Sequence, residues 1–480
     1  MPGGAPPDGT TGGTPDGSAG WGSGGASARG ATESAPSYTL PGFYGQGGQT
    51  FVAGEGRLAK PRFETNVSLS LGYDDNLFLA PTDGTTFRFP VPVLLDPGSP
   101  GGEPIVRNGN VFVGGGGVAP GSVIVGYTEA RQPIFGTEFV EIPPREREGS
   151  LLARANFGFE TQFTSRRSLF TVDVGAGTTY YWNREADPYD HHGVLGANFL
   201  YRITPRLQFT ASVNSAYLSQ PDLFRVNTPD QPTIGDLVNT VSRSTLSYRV
   251  TPRFSLSASA SYNSNYFFEE AEQTGNFSEI IVGTEARYLW SPRYTFLIEY
   301  RHGMTAYPNL PTLDSSTNYL LVGTEFVINR RLTGSLRVGE SFRQFEQGGE
   351  TAVTPYAEAT LGYRTSARSI LNWNTRFGFE EPGGPSEERV VLRTGLNYVY
   401  AFTPRLRGTV ALNVITETTT YEAAVEENER FTFDSHLGLA YTLTEHFGVN
   451  LSYNFTNVTS NRDDVGYYRN RIYFGGQFHF

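Results

Sequence analysis

The residues of this chain that could do chemistry are charged and amide side chains at alternate positions along otherwise apolar stretches. The carboxylates are Glu160, Glu285, Glu299, Glu325 and Glu358, with Glu64 and Asp173. The guanidiniums are Arg154, Arg287, Arg301, Arg337, Arg376 and Arg393, with Arg202, Arg243 and Arg249. Asn66, Asn156, Asn198, Asn214, Asn263, Asn372, Asn374, Asn397, Asn413 and Asn450 share the same parity and add neutral groups that both donate and accept hydrogen bonds. Both charge signs are present, so the set suits neither a plain cation site nor a plain anion site. Two readings follow. In one, these groups line a hydrated passage that hydrogen-bonds a neutral or weakly charged polar solute. In the other, Glu and Arg on adjacent strands pair across a wall and brace it, as opposite charges on neighbouring strands can.

Catalytic chemistry finds little footing. His191, His192, His302, His436, His446 and His479 are mostly far apart in the chain, and no zinc-protease, nucleophile-elbow or phosphate-loop pattern occurs. An enzyme is not expected, nor a metal or other cofactor. The run Asp187-Pro188-Tyr189-Asp190-His191-His192 has metal-binding residue types, but reads as part of a solvated loop.

The elements that must position these groups are strands. From Arg62 onward, Phe63, Val67, Leu69, Leu71 and Tyr73 share one parity, while Glu64, Asn66, Ser68, Ser70 and Asp74 share the other. The same alternation recurs at Leu151 to Phe163 and at Phe447 to Phe455. Its period is two, where a helix would show apolar residues three and four apart. Short turns bearing a basic residue punctuate it, as in Thr204-Pro205-Arg206, Thr251-Pro252-Arg253, Asn329-Arg330-Arg331 and Thr403-Pro404-Arg405. Taking Arg166, Arg206, Arg253, Arg293, Arg331, Arg368, Arg405 and His446 as markers, the steps are 40, 47, 40, 38, 37, 37 and 41 residues. Each step accommodates two strands and one longer loop. Eight such hairpins, one strand before them and one after give eighteen strands, and an even number returns both ends to one side. A propeller blade needs four short strands in a repeat of this length; two strands long enough to cross a tilted barrel fit instead.

The expected fold is therefore all-β, a transmembrane antiparallel up-and-down barrel of about 18 strands over residues 61–480. Residues 1–60, dominated by Gly, Pro and Ser, read as a disordered tail. Residues 80–148 read as a long external loop that either folds inward or adds a hairpin, which would raise the count to twenty. Composition agrees with a barrel. No apolar run reaches the roughly 18 residues of a membrane helix, yet 14% of the chain is aromatic, with 27 Tyr and 34 Phe. A net charge of -11 argues against nucleic acid as a partner. The absence of cysteine excludes thiolate metal sites and disulfides. No secretory leader is visible at Met1-Pro2-Gly3-Gly4, although a barrel of this kind calls for one.

The last strand is the most specific signal. Phe474, Gly476, Phe478 and Phe480 alternate with Tyr473, Gly475, Gln477 and His479. This resembles the C-terminal signal of bacterial outer-membrane barrels, and the resemblance gives its roles to Tyr473, Gly475, Phe478 and Phe480. The opening segment Leu71-Gly72-Tyr73-Asp74-Asp75-Asn76-Leu77-Phe78 is similar to the first-strand motif of the outer-membrane β-barrel porin-like family of Gram-negative bacteria. That resemblance implies an outer-membrane location, a channel function and, as in some members, a link to exopolysaccharide export. Implied partners are outer-membrane lipid, the barrel-assembly machinery and periplasmic polysaccharide-export proteins. A structural or adhesive barrel acting through its long loop and tail is the alternative.

Overall fold

The computed structural model describes residues 62–77, 79–80, 87–96, 104–108, 111–114, 123–127, 134–142, 147–184, 188–219, 236–268, 275–346, 351–380, 388–420, 428–461 and 466–480. The tail expected over 1–60 lies outside them. The chain divides into two units, one of Met1–Thr82 with Arg147–Phe480 and one of Asp83–Glu146.

In chain order the strands begin with β1 (Arg62–Asp74), β2 (Phe87–Asp96), β3 (Pro104–Asn108), β4 (Val111–Gly114), β5 (Val123–Tyr127) and β6 (Ile134–Ile142). Next come β7 (Ser150–Thr164), β8 (Ser168–Tyr181), β9 (Tyr189–Arg202), β10 (Leu207–Leu218), β11 (Leu237–Arg249) and β12 (Phe254–Phe267). They are followed by β13 (Phe277–Ser291), β14 (Tyr294–Ala306), β15 (Ser315–Asn329), β16 (Leu332–Phe345), β17 (Ala352–Ser366) and β18 (Ser369–Phe379). The last are β19 (Glu388–Ala401), β20 (Leu406–Thr420), β21 (Asn428–Thr442), β22 (Phe447–Ser460) and β23 (Tyr467–His479).

In the first unit, β1 and β7 to β23 form one antiparallel ring of 18 strands, closed by the pairing of β1 with β23. Closure removes both sheet edges, which in a bilayer would leave backbone groups without partners. The terminal residue takes part: the Phe480 amide donates to the Thr65 carbonyl at 2.8 Å, and the Thr65 amide donates to Phe480 at 3.1 Å. In the second unit, β2 pairs with β6 and β3 lies between β4 and β5. Because β1 pairs directly with β7, the intervening segment adds no barrel strand, and the count is eighteen rather than twenty.

The short turns share one device. The first polar side chain of each turn accepts a hydrogen bond from the amide two residues on, as Thr204 does from Arg206 at 3.2 Å and Asn329 from Arg331 at 2.8 Å. Thr251, Thr403 and Thr444 do the same for Arg253, Arg405 and His446. Such side-chain caps favour tight turns at Ser, Thr and Asn. The carbonyl of the basic residue then accepts from the neighbouring hairpin, as Arg206 does from Arg249 and His446 from His479. In the first turn Ser165 caps Arg167, whose carbonyl accepts from Arg202. The repeat marker there is thus Arg167, one residue after Arg166.

Exposure alternates with strand parity. On β23, Ile472, Phe474 and Phe478 are exposed, while Arg469, Arg471, Tyr473 and Gln477 are buried. Tyr201, Tyr248, Tyr288, Trp290, Tyr294, Phe402 and Tyr441 stand exposed near the short turns, and Trp182, Tyr189, Tyr262, Tyr266 and Tyr300 nearer the other ends. Two outward aromatic bands flanking an apolar belt are the exterior of a membrane barrel. One expectation needs correction: Tyr189 to His192 open strand β9 and are not loop. Tyr189 and His191 are exposed and stack with ring centroids 6.2 Å apart, so the period-two alternation already runs there.

Candidate functional site

The inward parity of the ring carries the polar groups, and most of the expected charges meet on β13 to β17. Arg337, only 2% exposed, is the hub. Its Nε donates to Glu299 at 3.0 Å and its Nη2 to Glu285 at 3.1 Å, with Glu358 at 3.3 Å and Glu325 at 3.8 Å. Arg301 donates to both Glu299 oxygens at 2.7 and 2.9 Å and to Glu358 at 3.2 Å. Arg287 pairs with Glu285 and donates to Glu325 at 3.3 Å. Tyr356 donates to Glu358 at 2.8 Å. Three guanidiniums and four carboxylates thus form one continuous network across five strands. Of the two readings for these charges, the geometry favours bracing: buried ions stay charged only where partners replace water.

Small residues make room for it. Arg301 lies opposite Gly283 and Arg337 opposite Gly323 in the cross-strand register. A Cβ on Gly323 would sit 2.9 Å from the Arg337 Cγ. The segments Val282-Gly283-Thr284-Glu285 and Val322-Gly323-Thr324-Glu325 repeat this pairing in the sequence, and are the signal by which the network could have been located.

The other expected residues stand apart. Arg393 belongs to a second cluster on β19 to β21, where its Nε lies 2.8 and 2.7 Å from the two Glu380 oxygens. Nearby, Glu417 pairs with Arg389 and, at 2.5 Å, with Arg430. Glu380, Arg389, Glu417 and Arg430 escaped sequence reasoning because they lie at or near the loop ends of strands, where alternation fades. Glu380 follows the last residue of β18. Burial pushes its carboxyl upward, but Arg393, with Arg376 and Arg389, outweighs this and holds it below the usual carboxylate value. Arg376 sits 5.7 Å from the Tyr356 ring centroid and donates to the Phe379 carbonyl at 3.3 Å.

Arg154 is on the far arc of the ring, donating to Thr179 at 3.1 Å and to the Tyr473 hydroxyl at 3.3 Å. Tyr473 is therefore buried and directed inward, while Phe478 and Phe480 are exposed. Gly475 lies opposite Ser70 and Asn450, and a Cβ there would come within 2.7 Å of Ser70 Cβ. Glu160 faces Glu64 on one side and Asp173 on the other. The inward parity also holds apolar residues that the polar pattern did not anticipate. Tyr319, Leu321 and Tyr356 pack together, as do Val391 and Ile415. Flat arginine side chains need such platforms for their stems and π faces. Among the described residues no group of acidic and histidine side chains has metal-ligand geometry.

Residues 288–480 match the family model described as putative beta-barrel porin 2. The match spans ten of the eighteen barrel strands, β14 to β23. Among curated proteins, none matches this sequence. Of solved structures, a BenF-like porin from Pseudomonas fluorescens is similar at 10% identity, with 87% of this chain and 99% of that one covered and a TM-score of 0.41. The outer-membrane protein OpdK of Pseudomonas aeruginosa gives 11% identity, 87% and 99% coverage and a TM-score of 0.39. OccAB4 of Acinetobacter baumannii gives 11%, 88% and 99%, and 0.38. The closed ring with its apolar exterior has the architecture of an outer-membrane β-barrel, and its C-terminal ten strands are similar to the porin family whose model they match.

Proposed function

We propose that the barrel passes polar solutes, extending to exported polysaccharide, through an interior that carries both signs of charge. The observation that supports this most is the inward parity itself. On β10, β11 and β12 it presents Thr210, Ser212, Asn214, Thr245, Ser257 and Ser259, which are half-buried or exposed, while the ionic network of β13 to β17 is mostly buried and internally paired. Accessible groups of this kind exchange hydrogen bonds with a solute's hydroxyls without holding it by charge. Glu160, Glu285, Glu299, Glu325, Glu358, Arg154, Arg287, Arg301, Arg337, Arg376 and Arg393 then shape the passage, several of them by bracing its wall. Tyr473, Gly475, Phe478 and Phe480 act as the segment read by the barrel-assembly machinery. Lipid surrounds the apolar belt, and periplasmic polysaccharide-export proteins are the partners at the short-turn side. Purified protein in planar bilayers tests the reading: discrete conductance steps with weak ion selectivity support it, and a sealed membrane, with or without an export partner, overturns it.

A further inference from the structure

The inner faces of β18, β19 and β20 bring four asparagines together. Asn372 pairs in register with Asn397, and Asn374 with Gly395, which in turn faces Asn413. The remaining inner positions beside them are small: Gly362 lies opposite Asn372, and Ala411 opposite Asn397. The result is a notch with a glycine and alanine floor and a carboxamide rim. A Cβ built on Gly395 would lie 2.8 Å from the Oδ1 atoms of both Asn374 and Asn413, so both amides lean over that floor. All four asparagines are half-buried. The Oδ1 atoms of Asn372 and Asn374 are buried and have no hydrogen-bond partner in the protein. Buried acceptors are nearly always satisfied, so orphaned ones call for a partner from outside the chain.

The charges nearest this notch are engaged with other groups, Arg376 with the Phe379 carbonyl at 3.3 Å. Arg393 is one inner position from Gly395 and is held by Glu380 at 2.6 Å. Asp434, opposite Asn413, accepts from Thr456 at 3.1 Å. A carboxamide offers two donors and an acceptor and carries no net charge, which matches a vicinal hydroxyl pair better than a carboxylate or an ammonium.

We infer that Asn372, Asn374, Asn397 and Asn413, over the floor of Gly395, form a subsite on the barrel wall for a neutral, hydroxyl-rich solute such as a sugar unit. The inference deepens the channel reading and rests on it for its purpose, though the binding can be measured alone. Saturation-transfer NMR of the detergent-folded barrel with maltose, and with gluconate as the anionic comparison, reads binding. Liposome swelling in the same sugars reads passage. Maltose should bind in preference to gluconate. The Asn374→Leu/Asn413→Leu pair should weaken maltose binding about tenfold, the effect of losing one or two hydrogen bonds. Gly395→Ala, which only inserts a methyl between the two amides, should weaken it in the same direction and guards against misfolding of the double variant. Ala216→Leu, on the inner face of a strand nine places away around the ring, should leave binding unchanged. Equal binding of maltose by the parent, the double variant and Gly395→Ala overturns the subsite, as does a parent that binds no sugar or a loss equally large in Ala216→Leu. A parent that binds maltose through these residues but gives no swelling in any solute keeps the subsite and overturns the channel reading instead.

Discussion

Arg337 touches Glu285, Glu299 and Glu358 at 3.0 to 3.3 Å from a position with almost no access to solvent. Removing it would leave three carboxylates without their common partner. Replacement by a neutral side chain should therefore cost far more than an exposed pair would. For Arg337→Gln we expect a loss of about 3 to 5 kcal/mol, the range for breaking a buried ion pair, measured by urea unfolding of the barrel in lipid or detergent. Glu380 gives the pH dependence. Its carboxyl is held low by Arg393, so its stabilising effect is present above the unfolded-state value and fades as the pH falls through the lower folded-state value. The parent should lose stability on acidification from about pH 7 to about pH 3, and Glu380→Gln should lose less over that interval. Equal slopes in the two proteins would contradict the assignment. Parity in the sequence was enough to place Arg337, Arg301 and Glu299 on the inner face. It could not say that they converge, because convergence depends on which strands are neighbours and on the residue opposite each one.

At the scale of elements, the hairpin is the repeating unit, and its turn chemistry explains why the repeat was legible. A Ser, Thr or Asn caps the amide two residues on, and the basic residue's carbonyl binds the next hairpin. The side-chain types required for that device are few, so they recur at nearly fixed spacing. Glu380, Arg389 and Glu417 were illegible for the converse reason: near strand ends no period constrains them. The closing strand does two separable things. Its backbone seals the ring through Phe480 and Thr65, and we propose that its exposed aromatic side chains serve recognition. Phe480→Ala keeps the backbone bonds. It should refold in detergent like the parent, yet reach the outer membrane of cells at clearly reduced levels, as judged by heat-modifiable mobility of membrane fractions. Normal cellular levels would remove the signal role; failed refolding in detergent would make the residue structural.

For the whole molecule, the eighteen-strand ring follows from counting hairpins, because a closed antiparallel sheet leaves few arrangements for strands of one length and one period. The segment Asp83–Glu146 was less legible, since its short strands pair only among themselves. The ring closes without it, through the direct pairing of β1 with β7. Deleting residues 83–146 should accordingly leave a heat-modifiable, folded barrel, whereas a chain that no longer folds would show that the two units depend on one another. The central claim is that this barrel conducts. Single-channel recording of the purified full-length chain in planar bilayers tests it most directly. The account predicts discrete steps with a reversal potential close to zero in a salt gradient, because the network of β13 to β17 is internally paired and the interior carries both signs of charge. A folded, inserted barrel that passes no current would contradict it.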